Sequence, residues 1–238
     1  MINGKTVLAY IPARSGSKSI IDKNIIDICG KPLIAYTVEA AKGSKYVDRV
    51  ILSTDSQKYA DIVKEYGGDA PFLRPDELSE DNSKEIDAAI HLINWIEENE
   101  GKKYDIILKL EPTSPLRISE DVDKAIEALE KRNADTIATV TEAFTHPYWM
   151  NTLPEDNSMV NFISEEAKTK NRQELPVYYQ LDGLVNVSRW EIIKKYKNWF
   201  GGKIFAAITP NERAIDIDGP VQLELVKIII KKRMELGD

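Results

Sequence analysis

Arg14, Ser15, Gly16, Ser17 and Lys18 stand together, and Lys23-Asn24 follow closely. Small and hydroxylated residues let backbone amides approach an oxyanion, and the cations supply charge. This chemistry suits a nucleoside triphosphate, although a solvated basic loop has the same composition. Neither the dinucleotide fingerprint GxGxxG nor the P-loop GxxxxGK[ST] is present in the segment. Asp216-Ile217-Asp218 puts two carboxylates around an isoleucine, on one face if the segment is extended. Mg²⁺ favours one or two carboxylates together with phosphate oxygens and water; an acidic turn before a helix is the alternative. Arg74, fixed beside Pro75 and Asp76, suits a phosphate, a base edge or a surface ion pair. Between Glu111 and Arg117, Pro112 and Pro115 stiffen a loop in which Thr113, Ser114 and Arg117 offer donors to a hydroxylated, anionic ligand. His91, His146 and Cys29 do not form a Ser–His or Cys–His set, so nucleophilic catalysis is not indicated.

The elements that must position these residues alternate. Apolar runs at 6–11, 49–53, 105–110 and 134–140 read as strands. Between them come helical stripes: Ile34, Val38 and Ala41 after Gly30-Lys31-Pro32, with Pro32 in the first turn; Tyr59, Ile62, Val63 and Tyr66, stopped by Gly67-Gly68; Ile86 to Ile96 capped by Ser83; and Val122, Ile126 and Leu129 capped by Ser119. Strand and helix in alternation predict a three-layer α/β/α domain with a mostly parallel sheet. In such sheets ligands sit beyond the carboxyl ends of the strands, where the polar loops above fall. Residues 143–180 break the alternation and read as an inserted arm, with short strands over 146–162. Strands are expected at 178–187, 202–208 and 214–217, and a last helix at 221–234.

The 238 residues carry 32 Lys and Arg against 39 Asp and Glu, a formal charge of −7. That balance argues against a nucleic-acid polymer or an anionic membrane surface as partner, but not against a single phosphorylated ligand. With 42% hydrophobic residues the chain can build one sizeable core, so 1–238 is read as one domain containing the arm. One cysteine and two histidines exclude a disulfide framework and a Cys- or His-based zinc site. No apolar run is long enough to span a bilayer and the start lacks a signal-peptide layout, so a cytoplasmic location is expected.

Taken together, the segments resemble the acylneuraminate cytidylyltransferases, the CMP-sialic acid synthetases. The resemblance rests on residues 11–18 with Lys23-Asn24, Ser53-Thr54-Asp55, Leu73-Arg74-Pro75, residues 112–117, residues 146–150, residues 172–176 and Ile215-Asp216-Ile217-Asp218, all in family order. It implies a nucleotidyltransferase-like sheet domain whose arm docks into a partner subunit, and hence a homodimer. It also implies that CTP and a nine-carbon 2-keto sugar acid give a CMP-sugar and pyrophosphate. Arg14, Ser17, Lys23, Asn24 and Arg74, with Ala13, Ser15 and Gly16 of the same loop, would hold CTP. Asp216 and Asp218 would hold Mg²⁺. Glu111, Thr113, Arg117, Arg172, Gln173, Asp182 and Asn186 would line the sugar site, and Arg14, Lys23 and Asp218 would carry catalysis. The sequence departs from the family at Ser19, Ile21 and Asp22 in the nucleotide loop. It departs again at Glu111, where the family has Gln, at Asp182, where it has Asn, and at Asn186, where it has Tyr. Extra carboxylates repel a sugar carboxylate and favour amino or hydroxyl donors. The expected sugar is therefore a nonulosonic acid other than N-acetylneuraminate, such as a legionaminate. Rival readings keep the fold with another nucleoside triphosphate, make Asp216-Ile217-Asp218 the Asp-x-Asp motif of a glycosyltransferase, or make the chain a non-catalytic binder.

Overall fold

The computed structural model describes residues 1–237, with the backbone alone described at Arg172. Its elements are β1 (Val7–Pro12), β2 (Asp27–Ile28), β3 (Lys31–Pro32), α1 (Leu33–Lys42), β4 (Arg49–Ser53), α2 (Gln57–Glu65), α3 (Glu85–Glu100), β5 (Ile106–Lys109) and α4 (Ser119–Lys131). They continue with β6 (Thr136–Glu142), α5 (Glu165–Lys168), β7 (Tyr179–Arg189), α6 (Trp190–Tyr196), β8 (Ile204–Ile208) and α7 (Pro220–Leu236). The main sheet has the order β4-β1-β5-β7-β6-β8. β1 pairs in parallel with β4 and β5, and β6 with β8.

Side chains alternate across a strand, so a strand covered on both faces must be apolar throughout. β1 meets that demand. Val7, Ala9 and Ile11 pack against Val38 of α1, Val63 of α2 and Ile126 of α4. Leu8 and Tyr10 pack on the opposite face against Leu92 and Ile96 of α3 and Trp190 of α6. The result is the expected three-layer arrangement. A third cluster joins Ile28, Leu33, Leu116 and Ile217 to Leu223, Val226 and Ile230 of α7.

Several expectations are corrected. β7 runs antiparallel to both of its neighbours. The cause is the arm: Glu142 at the end of β6 pairs with Tyr179 at the start of β7, and Ala143 N donates to Tyr178 O at 2.8 Å. The segment between is thus the enlarged loop of a β6–β7 hairpin, which forces the return strand to reverse direction. Over 146–162 there is a single 3₁₀ turn, Pro147–Trp149, rather than strands. Residues 214–217 are not a strand, because Ile217 N donates to Thr113 O (2.8 Å) instead of joining the sheet. Pro32 precedes α1 in extended conformation, since it pairs with Asp27 across β2–β3. Ser83 does not cap α3; its hydroxyl donates to Glu77 O (2.7 Å) and the helix begins two residues later. Ser119 is the first residue of α4, and the capping role falls to Asp121, whose carboxylate accepts from Ile118 N (3.1 Å).

Candidate active site

Residues at the carboxyl ends of β1 and β5 border a cavity of about 580 Å³, together with Arg74 and the segment entering α3. Ala13, Arg14, Ser17, Lys23, Asn24, Arg74, Glu111 and Thr113, all expected from sequence, line it, as does Lys18. Asn24 is buried and its amide donates to Arg14 O at 3.1 Å, which folds the cationic loop over the rim. Arg74 is also buried. Its Nε donates to Ser53 Oγ at 3.1 Å and its Nη2 to Ser53 O at 2.5 Å, so the end of β4 fixes its guanidinium. Arg14 Nη2 lies 2.9 Å from Asp81 Oδ1, and Lys18 also pairs with Asp81. These charge-assisted bonds lower the Asp81 pKa from its ordinary value, Lys18 contributing most.

A second cavity, about 430 Å³, is bordered by Phe144, Leu181, Asp182, Gly183, Asp216, Asp218 and Leu225, among others. A short chain of bonds links the walls of the two cavities. Lys23 Nζ donates to Ile217 O at 2.7 Å, and Ile217 N donates to Thr113 O at 2.8 Å. Ile217 is fully buried in the α7 cluster, so the core anchors the residue between the two carboxylates. Arg213 clamps the same segment to α4, with Nη2 at 2.8 Å from Asp121 Oδ1 and Nε at 2.9 Å from Oδ2. This bidentate pair with a buried carboxylate fixes the approach of residues 214–218.

Asp216 Oδ1 is buried and accepts no hydrogen bond. Burial raises the Asp216 pKa; Asp218 and Glu111 push the same way, against a hydrogen bond from Thr113 and the charge of Lys23. An orphaned, desolvated carboxylate oxygen beside a second carboxylate fits a hard cation. Among the described residues, no group of three or more His, Cys, Asp or Glu forms a metal-binding cluster by itself. Asp216 and Asp218 as a pair therefore fit an ion that takes its other ligands from phosphate and water.

Other expected site residues have different work. Gly16 is exposed and lines neither cavity, and Ser15 is held by Asp55, which accepts from its amide (2.8 Å) and its hydroxyl (2.5 Å). Arg117 is buried and donates to Leu184 O (2.5 Å), Glu111 O (2.8 Å) and Thr37 Oγ1 (3.1 Å). It braces β7, the Glu111 loop and α1 and faces neither cavity. Asp182 borders the second cavity, but its carboxylate accepts from Thr139 Oγ1, Thr209 Oγ1 and Leu184 N. Those bonds anchor a bulge where the β6–β7 register shifts between Ala138 and Val140. Gly183 within the bulge has φ +68°, which favours glycine. Asn186 is buried in β7 opposite Lys109 and lines neither cavity. Gln173 is exposed on the arm, away from both cavities of its own chain, and the Arg172 side chain lies outside the described residues.

The sequence reading missed Lys109, Glu85 and Asp81, all of which line the first cavity. Lys109, in a strand otherwise made of core residues, was the available signal: a charge there must be paired. Its Nζ lies 2.6 Å from Glu111 Oε1 and 3.7 Å from Glu85. Burial opposes the Lys109 charge, yet Glu111 and Glu85 raise its pKa on balance.

A cationic loop bonded to the backbone between two carboxylates, at the carboxyl rim of an α/β/α sheet, is an arrangement suited to a nucleotide-handling protein. Comparison narrows the class. Residues 8–205 match the family model described as Cytidylyltransferase, and the chain belongs to that family. It is 32% identical over 230 residues to an N-acylneuraminate cytidylyltransferase of Escherichia coli, covering 95% of this chain but only 52% of the relative. The chain thus spans about half the length of that relative. It is 30% identical over 236 residues to a CMP-N,N'-diacetyllegionaminic acid synthase of Legionella pneumophila, covering 96% of this chain and 98% of the relative. Among solved structures, a CMP:2-keto-3-deoxy-manno-octonic acid synthetase complexed with CTP superposes with a TM-score of 0.70. It is 16% identical and covers 96% of this chain and 99% of that one, a likeness of fold.

Proposed function

We propose that the chain transfers the cytidylyl group of CTP to the anomeric hydroxyl of a nine-carbon 2-keto sugar acid. The bond from that oxygen to the α-phosphorus forms, the bond to pyrophosphate breaks, and the hydroxyl proton is released. The observation that carries this reading is the junction of the two cavities, where Lys23 is bonded to the backbone between Asp216 and Asp218. A nucleotide in the first cavity would place its phosphates against an acceptor in the second. Arg14, Lys18 and Lys23 supply positive charge for the phosphates, and Lys23 is suited to charge developing on the phosphoryl oxygens. Arg74 and Asn24 give the cradle its fixed shape. Asp216 and Asp218 would hold Mg²⁺, which when bound neutralises phosphate charge and orients the nucleophile.

For the sugar, Glu111 separates this chain from the pattern that its sequence resembles. Its carboxylate accepts hydrogen bonds and repels anions, which favours an acceptor that presents an N–H or O–H there, as expected of a legionaminate-type acid. Asp182 adds less to that argument, because its oxygens are used inside the bulge. A homodimer accompanies the proposal. Phe144, Trp149, Met150, Leu153, Met159 and Val160 are exposed on the arm, and an apolar surface of this kind calls for a partner. In such a dimer Gln173 would serve a second copy's sugar site. Pyrophosphate release with CTP, UTP, GTP and ATP in turn, each with a sugar acid, tests the reading. Turnover with CTP well above the others supports it, and preference for another nucleotide contradicts it.

A further inference from the structure

Lys109 ends β5 and its side chain is only 13% exposed. The ammonium is held on three sides. Glu111 Oε1 is 2.6 Å away and Glu85 Oε2 3.7 Å away, and the Trp199 ring centroid lies 5.9 Å from Nζ. Trp199 is itself fixed, since its Nε1 donates to Glu85 Oε2 at 2.8 Å and its ring stacks on Tyr10. Lys109 therefore has little freedom, and neither does the oxygen it holds.

The other Glu111 oxygen points elsewhere. A Cβ placed on Gly183 would lie 3.8 Å from Glu111 Oε2 and 3.4 Å from Ser114 Oγ. Gly183 borders the second cavity and Glu111 the first, so Oε2 stands at the seam between them. Ser114 Oγ, close to the same glycine, is fully buried and has no hydrogen-bond partner. The Glu111 carbonyl is tied to Arg117 at 2.8 Å, which fixes the backbone beneath.

We infer that Lys109 is a positioning residue for the acceptor sugar: by holding Glu111 Oε1 it presents Oε2 at the seam as an oriented hydrogen-bond acceptor. The inference rests on the nucleotidyl-transfer reading above. Lys109 does a second job through the same contact. It offsets the Glu111 charge, so that an anionic sugar acid can approach a carboxylate that would otherwise repel it. A neutral amide at 111 would need no such counter-ion, and this gives the inference its test.

Steady-state kinetics of the full chain, with KM for CTP and for the sugar acid measured separately, compare wild type, Lys109→Met, Lys109→Gln and the double variant Lys109→Met/Glu111→Gln. Thermal unfolding checks each variant. Lys109→Met is expected to raise KM for the sugar acid by about tenfold or more while KM for CTP stays within about twofold. The double variant is expected to recover most of that loss, because it removes the unpaired charge together with its partner. Lys109→Gln keeps a donor to Glu111 but not the charge, so a smaller rise confined to the sugar-acid KM is expected, and it carries the test if Lys109→Met does not fold. Equal rises in both KM values, or a double variant no better than the single one, would overturn the inference. Absence of wild-type turnover with every sugar acid overturns the parent reading and the inference with it. Wild-type turnover with an unselective Lys109 effect overturns the inference alone.

Discussion

Replacing Arg117 by methionine separates a structural brace from a ligand contact. The sequence places this arginine in a loop suited to an anionic sugar, whereas the structure buries it among three acceptors: Leu184 O, Glu111 O and Thr37 Oγ1. Burial pulls its pKa down against the charges of Glu111, Asp121, Asp182 and Asp216, to about 10, so it stays cationic at neutral pH. Methionine removes all three donors and deprives the Leu184 carbonyl of its charged partner, while Glu111 O still accepts from Ser114 N at 3.3 Å. A hydrogen bond from a charged donor contributes about 1.5–3 kcal/mol, and each stranded buried acceptor costs about 1–3 kcal/mol. These terms overlap, and relief of the buried cation offsets part of them. Three charged-donor bonds, less that overlap and the relieved burial, leave a net loss of about 3–5 kcal/mol. For a domain of this size each kcal/mol lowers Tm by about 2–4 °C, so the expected fall is about 6–20 °C. Differential scanning calorimetry and urea unfolding measure it. An unchanged Tm together with a raised KM for the sugar acid would refute the brace and restore Arg117 to the ligand site.

Other expectations follow from the charge pairs. Asp81 competes with a triphosphate for Arg14 and Lys18, so Asp81→Asn lowers KM for CTP; a raised KM would mean that Asp81 itself contacts the nucleotide. Burial alone would raise the Glu130 carboxyl, but hydrogen bonds from Lys5 and Arg189 outweigh it and hold the pKa below the ordinary glutamate value. A depressed folded pKa stabilises above the unfolded value and is lost as pH falls through the folded one. Glu130→Gln therefore lowers Tm at pH 7 and makes little difference near about pH 3, and a deficit that persists in acid would contradict the linkage.

The layers were legible because β1, β4 and β5 are continuous apolar runs, and α1, α2 and α4 carry clear stripes. The reversal of β7 was not legible. It depends on the arm closing a hairpin between Glu142 and Tyr179, and local periodicity does not register a pairing across that many residues. Helix starts were misplaced where a hydroxyl found another partner, as Ser83 did with Glu77. The cationic rim was readable from residue type, since Arg14, Lys23, Asn24 and Arg74 do converge on one cavity. The sugar side was less so. Arg117 and Asp182 carry the right chemistry for a ligand but spend it on their own backbone and hydroxyls, which only three-dimensional neighbours reveal. The extended reading of Asp216-Ile217-Asp218 brings both carboxylates to one side, and both do border one cavity, but for a different reason. The buried Ile217 and the Arg213–Asp121 clamp, not a strand, fix the carboxylates at the cavity.

The central claim is transfer of cytidylate to a nonulosonic acid at the junction of the two cavities. Mass spectrometry of reactions containing CTP, Mg²⁺ and a panel of nine-carbon 2-keto acids tests it most directly, with Asp218→Ala as the control. The account predicts a CMP-sugar and pyrophosphate in equal amounts, a legionaminate-type acid turned over faster than N-acetylneuraminate, and no product from the variant. Wild-type rates from Asp218→Ala, or equal or better turnover of N-acetylneuraminate, would contradict it.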